Sequence, residues 1–345
     1  MRYERIARYV AGNVWAITSE KMVDLLSVLA YRAAGHEFTP EEIRARIGDG
    51  GDGQASQNGA VAVIPIRGVI AHRMGSMDES SGGTSTERIG AILAQVAADP
   101  GIKTILYDID SPGGAVPGVQ ELAAQMFALR GVKRQVAQVN SLAASAAYWL
   151  AAQCDEIVSI PSGLAGSIGV FSAHEDLSAA LEKEGIKVTL VSAGKHKVEG
   201  NPFQPLSDET RTVLQTRVND AYAQFTKDVA RGRGVTPAAV RGGYGEGRAL
   251  DAKDAKAAGL IDRIATMDET IARLTSRPAR ASVSGMRGEG GEPQLSAAAE
   301  ATIRDEVRAV LSVAPVPPPE MADPKSREAI DAQQDQDRAR RLRVS

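Results

Sequence analysis

Between residues 60 and 265 the apolar positions switch repeatedly between the two-residue period of strands and the 3.6-residue period of helices. The stretch "AVAVIPIRGVI" reads as a strand, and Pro65, which has no N–H to give a ladder, places it at an edge or a bulge. "TSTERIGAILAQVAAD" reads as a helix, with Thr84 and Glu87 spaced as a capping box. "KTILYDID" is a strand and "GVQELAAQMFAL" a helix. "RQVAQVN" is a strand that leads into a helix around Ser145. "DEIVSI" and "KVTLVSAG" read as further short strands. Ser207 caps a long helix whose stripe is Leu214, Val218, Tyr222, Phe225 and Val229. Strands alternating with helices predict an α/β domain with parallel strands and right-handed crossovers.

The two ends read differently. Met22, Leu25, Leu26 and Leu29 form an apolar stripe at helical spacing, and "TPEEIRARI" starts a second helix with Thr39 as cap and Pro40 at its first position. Residues 47–59, "IGDGGDGQASQNG", have linker composition. Beyond residue 275 the chain reads as disordered, apart from one candidate helix in "LSAAAEATIRDEVRAVLSV". The expected division is a helical N-terminal region and linker (1–58), an α/β domain (59–270) and a largely disordered tail (271–345).

Composition narrows the classes. Of 345 residues, 43% are hydrophobic, enough for a sizeable core. A formal net charge of -3 argues against a nucleic-acid-binding face. The single cysteine, Cys154, excludes a disulfide framework and a cysteine-built zinc site. The N-terminus lacks the pattern of a signal peptide, and no segment reaches the ~18–20 apolar residues that span a bilayer. The expectation is a protein made in the cytoplasm, with no membrane anchor.

Candidate chemistry gathers where strands end. In "YDIDSPGGAVPGVQEL" the Ser-Pro-Gly-Gly run is expected to stop the strand, and the N–H groups of Gly113 and Gly114 suit an oxyanion site or an ordinary turn. Ser145 follows a strand closely. It is either a small packing residue or a nucleophile whose next N–H, on Ala146, faces an oxyanion. His36, His72, His174 and His196 lack the pattern of triad partners. Lysine is the alternative base, and "VSAGKHKVEGNPFQPLSDE" offers Lys195 and Lys197. Such a lysine works only when neutral, which demands burial. Two solvated surface lysines are the competing reading.

The ordered series "DSPGG", "SLAASAAYW", "SGLAGSIGV", "AGKHKVEGNPF" resembles the signal peptide peptidase A family of serine peptidases. The resemblance covers about residues 60–265. It implies the fold shared by Clp protease and crotonases, with a repeated β-β-α core. It also implies a serine–lysine dyad without cofactor or metal. The family's nucleophile segment matches "AASAAYW" and puts that role on Ser145, with alanines where the family usually has glycines. The family's lysine segment matches His196-Lys197 and makes Lys197 the base, with Lys195 as competitor. The oxyanion donors implied are Gly113, Gly114 and Ala146. "GSIGV" matches a segment beside the site, and "EGRALDAKDAKAAGLIDRI" the family's closing helix and strand.

The missing anchor, the helical leader and the charged tail resemble the phage branch, the head-maturation or capsid assembly proteases. These act inside an immature shell on scaffold and portal proteins and on themselves. That resemblance implies a homo-oligomer with sites shared between neighbours, located in the host cytoplasm inside the prohead. Two other readings stay open: a soluble bacterial peptidase of the same family, and an inactive assembly or scaffolding protein of the same fold.

Overall fold

The computed structural model describes residues 13–33, 55–74 and 83–276. Chain order begins with β1 (Trp15–Ile17), α1 (Ser19–Ala33), β2 (Ser56–Asn58), β3 (Val61–Ala71), β4 (Thr84–Ser85) and α2 (Thr86–Ala98). It continues with β5 (Thr104–Ala115), α3 (Val119–Ala128), β6 (Arg134–Ala144), α4 (Ala146–Ala151), β7 (Glu156–Ser159) and β8 (Leu164–Gly166). Then come α5 (Ser178–Lys183), α6 (Asp208–Arg233), α7 (Pro237–Gly243), β9 (Ala249–Asp251), α8 (Ala252–Ala257), β10 (Arg263–Ile264) and α9 (Met267–Thr275).

The sheet runs in the order β10-β7-β6-β5-β3-β2, and all but its last pairing are parallel. The fold is therefore mixed α/β, as the alternating periods predict. Its central unit repeats. Each of β3, β5 and β6 is long and breaks register partway; β5 and β6 lead into helices, and β3 reaches its helix through the short β4. Beyond the break, β6 leaves β7 and pairs with β8 instead. Each long strand thus serves two pairings, which makes a β-β-α repeat. The core lies between the sheet and the helices, and its largest wholly buried side chains include Trp149, Tyr107, Tyr148 and Phe225.

Several expectations are corrected. The strand over "KTILYDID" does not stop at Ser-Pro-Gly-Gly. β5 continues to Ala115, because after the break Gly113 and Gly114 pair with Val69 and Ile70 on one side and with β1 on the other. The leader is not helical alone, since β1 is a strand of the sheet. Within the linker, Ser56–Asn58 folds back on Val61–Val63 as a hairpin, with Gly59 at φ 61° in the turn. The cap of α2 is Ser85, whose hydroxyl accepts from the Arg88 N–H at 3.3 Å. Thr84 is instead drawn to β3, where its hydroxyl donates to the Arg67 carbonyl at 2.7 Å. Residues 187–194 form no strand. The helices expected after Thr39 and within 295–313, and the tail beyond 276, lie outside the described residues.

Pro65 sits where its alternation predicts, past the short reach of β2 on the edge of β3. Ser207 caps α6 through Thr210 N–H at 3.2 Å, and Phe225 and Val229 of its stripe are wholly buried.

Candidate active site

β6 ends at Ala144 and α4 begins at Ala146, so Ser145 alone makes the turn between them. Its backbone is forced to φ 57° and ψ -118°, a conformation L-residues avoid. A sharp strand–serine–helix turn of this kind presents a hydroxyl and the following N–H together. The turn is pinned from both sides. Ser145 N–H donates to the Gly166 carbonyl at 2.8 Å, and its hydroxyl to the Gly169 carbonyl at 3.3 Å. Both acceptors belong to "GSIGV". Gly166 at φ 118° is wedged against the Arg248 carbonyl, where a Cβ would stand 3.0 Å away.

The glycine pair lies beside this turn. A Cβ on Gly113 would come within 3.0 Å of both the Ala144 carbonyl oxygen and the Ala146 nitrogen. One on Gly114 would come within 1.8 Å of the Ile70 carbonyl oxygen. Only glycine fits at either position. Gly113 N–H donates to the Ser111 hydroxyl at 3.2 Å, and Ser111 donates in turn to the Gly68 carbonyl at 2.6 Å. Ser145, Ala146, Gly113 and Gly114 are thus brought together.

The lysines are not. Lys195 and Lys197 are both exposed in the single chain. Lys195 pairs with Glu209 at 3.5 Å. The Lys197 side chain has no hydrogen bond or ion pair among the described residues. Among the described residues neither lysine has the burial that a neutral lysine needs. Of the described histidines, His72 faces the Thr86 hydroxyl, His174 the Asn201 carbonyl and His196 the Glu199 carboxylate, and none touches Ser145.

A polar cluster missed by sequence reasoning sits at the breaks of the long strands. Asp108 accepts from Arg67 and, at 3.1 Å, from Asn140. Burial pushes the Asp110 carboxyl above its ordinary range, against the opposing pull of the Ser141 hydroxyl and Arg67. The alternation in "YDIDS" was the available signal, since it puts acids on a strand that is otherwise apolar.

No helix among the described residues is long and apolar enough to cross a membrane. Residues 128–280 match the model of peptidase family S49. The chain is 36% identical over 237 residues to the head-tail preconnector protein GP5 of Enterobacteria phage P21, covering 69% of this chain and 46% of that protein. It is 31% identical over 296 residues to capsid assembly protease C of Escherichia phage lambda, covering 82% of this chain and 67% of that protein. It is 29% identical over 220 residues to protease 4 of Salmonella typhi, covering 64% and 35%. The chain spans about half the length of the first of these relatives and two thirds of the second.

Proposed function

The chain belongs to peptidase family S49, and from that membership we propose that it is a serine endopeptidase with Ser145 as nucleophile and Lys197 as base. Lys197, neutral, takes the hydroxyl proton as Ser145 Oγ attacks the peptide carbonyl. The N–H groups of Gly114 and Ala146 hold the oxyanion, and Gly113 keeps the space above them clear. The lysine then protonates the leaving amine and activates the water that hydrolyses the acyl-enzyme. The chemistry needs no metal or cofactor. The observation that carries this reading is the convergence of the strained Ser145 turn, the Ala146 nitrogen and the glycine pair.

The exposure of Lys197 fits a base that works in a neighbouring copy. Just before it, Ile186, Val188, Leu190 and Val191 are 53%, 38%, 37% and 95% exposed, an apolar run that one chain leaves uncovered. A homo-oligomer that covers this run would also bury the lysine against the next subunit's Ser145. The names of the two phage relatives favour capsid assembly as the process, with scaffold, portal or capsid proteins and the chain itself as substrates. The place of action is then the host cytoplasm, inside the prohead, and the Clp protease/crotonase-like architecture is part of the same reading. The test is intact mass and peptide hydrolysis of the wild-type chain beside Ser145→Ala. An alanine variant that still hydrolyses peptide at most of the wild-type rate sinks the assignment.

A further inference from the structure

A peptide bond that Ser145 cuts must lie extended across the glycine pair, its carbonyl oxygen between the N–H groups of Gly114 and Ala146. The chain's own β1 already lies there. Trp15, Ala16 and Ile17 run antiparallel to Ala115, Gly114 and Gly113. The Val116 N–H donates to the Val14 carbonyl at 3.0 Å, and the Thr18 N–H to the Pro112 carbonyl at 3.0 Å. Bonded pairs alternate along an antiparallel ladder. The pair between those two is therefore Ala16 with Gly114, which aims the Gly114 N–H at the Ala16 carbonyl.

A second observation reaches the same oxygen independently. A Cβ on Gly113 would stand 2.1 Å from the Ala16 oxygen and 3.0 Å from the Ala146 nitrogen. The Ala16 carbonyl and the donor next to the nucleophile thus crowd one point. On its other edge β1 is held by Phe171, which exchanges two backbone bonds with Trp15 at 2.8 and 2.9 Å. A strand gripped on both edges is the ordinary way an extended peptide is bound. Trp15 and Ile17 anchor it in a small apolar cluster with Met22 and Ala115, and Ala16 is wholly buried. A cavity of about 620 Å³ is lined by Asn13 and Val14, the residues that precede the strand.

We propose that residues 13–18 are an internal substrate, seated in the cleft and cut between Ala16 and Ile17. The inference rests on the serine peptidase reading. Ser145 Oγ bonds to the Ala16 carbonyl carbon and its proton passes to the lysine base. The Ala16–Ile17 bond breaks, Ile17 leaves as a protonated amine, and water hydrolyses the Ala16 ester to a carboxylate. Until that cut is made, the strand closes the cleft to other peptides. The leader is thus a built-in inhibitor that the enzyme removes itself.

The full-length chain is expressed as wild type, Ser145→Ala and Ile17→Pro. N-terminal sequencing and intact mass are read beside hydrolysis of a synthetic peptide spanning residues 11–22. Wild type should yield chains that begin at Ile17, and Ser145→Ala none. Ile17→Pro keeps the ladder donors of Ala16 and Thr18 but blocks the cut. It should stay intact and hydrolyse the added peptide about tenfold more slowly, the factor for a cleft closed about nine-tenths of the time. A wild type that hydrolyses the added peptide yet keeps its leader, or starts at another residue, overturns the proposal while leaving the peptidase reading in place. A wild type that neither processes itself nor hydrolyses the peptide overturns both. The wild-type N-terminus decides alone should Ile17→Pro fail to fold.

Discussion

Gly113 and Ala146 approach so closely that a single Cβ on the glycine would stand 3.0 Å from the alanine's nitrogen. Gly113 lies within β5 and Ala146 opens α4, and in the proposed mechanism the space between them receives the substrate's carbonyl oxygen. Gly113→Ala would fill it, at a φ of 97° that alanine resists. The expected outcome is loss of at least about 100-fold in peptide hydrolysis, the scale of losing an oxyanion donor. Far-ultraviolet circular dichroism should remain close to wild type, and a variant with wild-type turnover would falsify the proposed role of this contact.

The proposed sharing of the dyad between copies makes a mixing prediction. Ser145→Ala and Lys197→Ala should each be nearly inactive alone, with the double variant little worse, because the two groups act as a unit. Lys195→Ala should be mild, since that side chain pairs with Glu209 on the surface. Co-assembly of the two dead single variants should restore part of the activity. Failure of the mixture to regain any turnover would place the base within the same chain.

The helix that carries Ser145 depends on a buried polar contact. The Trp149 indole N–H donates to Asp228 at 3.0 Å, and the indole stacks on Phe225 with centroids 4.4 Å apart. Asp228→Ala leaves that N–H buried without its acceptor, at a cost of about 1–3 kcal/mol. Urea unfolding should show a lower midpoint with an unchanged slope. Trp149→Phe should cost more than Asp228→Ala, because it removes ring volume as well as the donor.

Acid should weaken the sheet edge. Glu156 accepts from Arg134, Arg263 and Arg273 at 2.9, 3.1 and 2.9 Å, and Asp262 pairs with Arg233 at 2.7 Å. Burial pushes both carboxyls upward, but the arginine hydrogen bonds prevail and hold both below their ordinary range. A depressed folded value means stability that is present above the unfolded values of ~4.3 and ~3.9 and is lost as pH falls through the folded ones. Glu156→Gln should therefore lower stability at pH 7 and flatten its decline below about pH 4. A thermal-melt series that declines with pH as in wild type would count against this network.

Local chemistry in the sequence determined much of this protein. Alternating periods specify strands and helices, Ser207 caps its helix, and Pro65 marks an edge, because each is written in neighbouring residues. The order of the glycine pair, Ser145 and the Gly-Ser-Ile-Gly segment was legible for the same reason. Pairing across the chain decided the rest. Ser-Pro-Gly-Gly reads as a strand end, yet it continues β5, since partners on both sides satisfy its backbone and the glycines admit their close approach. Thr84 reads as a cap but is claimed by Arg67 of β3. "KVTLVSAG" has the alternation of a strand but forms no ladder among the described residues, because a strand exists only where a partner edge satisfies its backbone. Least legible was the seat of Trp15–Ile17 across Gly113–Ala115. Backbone hydrogen bonds carry no sequence signature, so only the folded sheet could set the Ala16 carbonyl against the glycine pair.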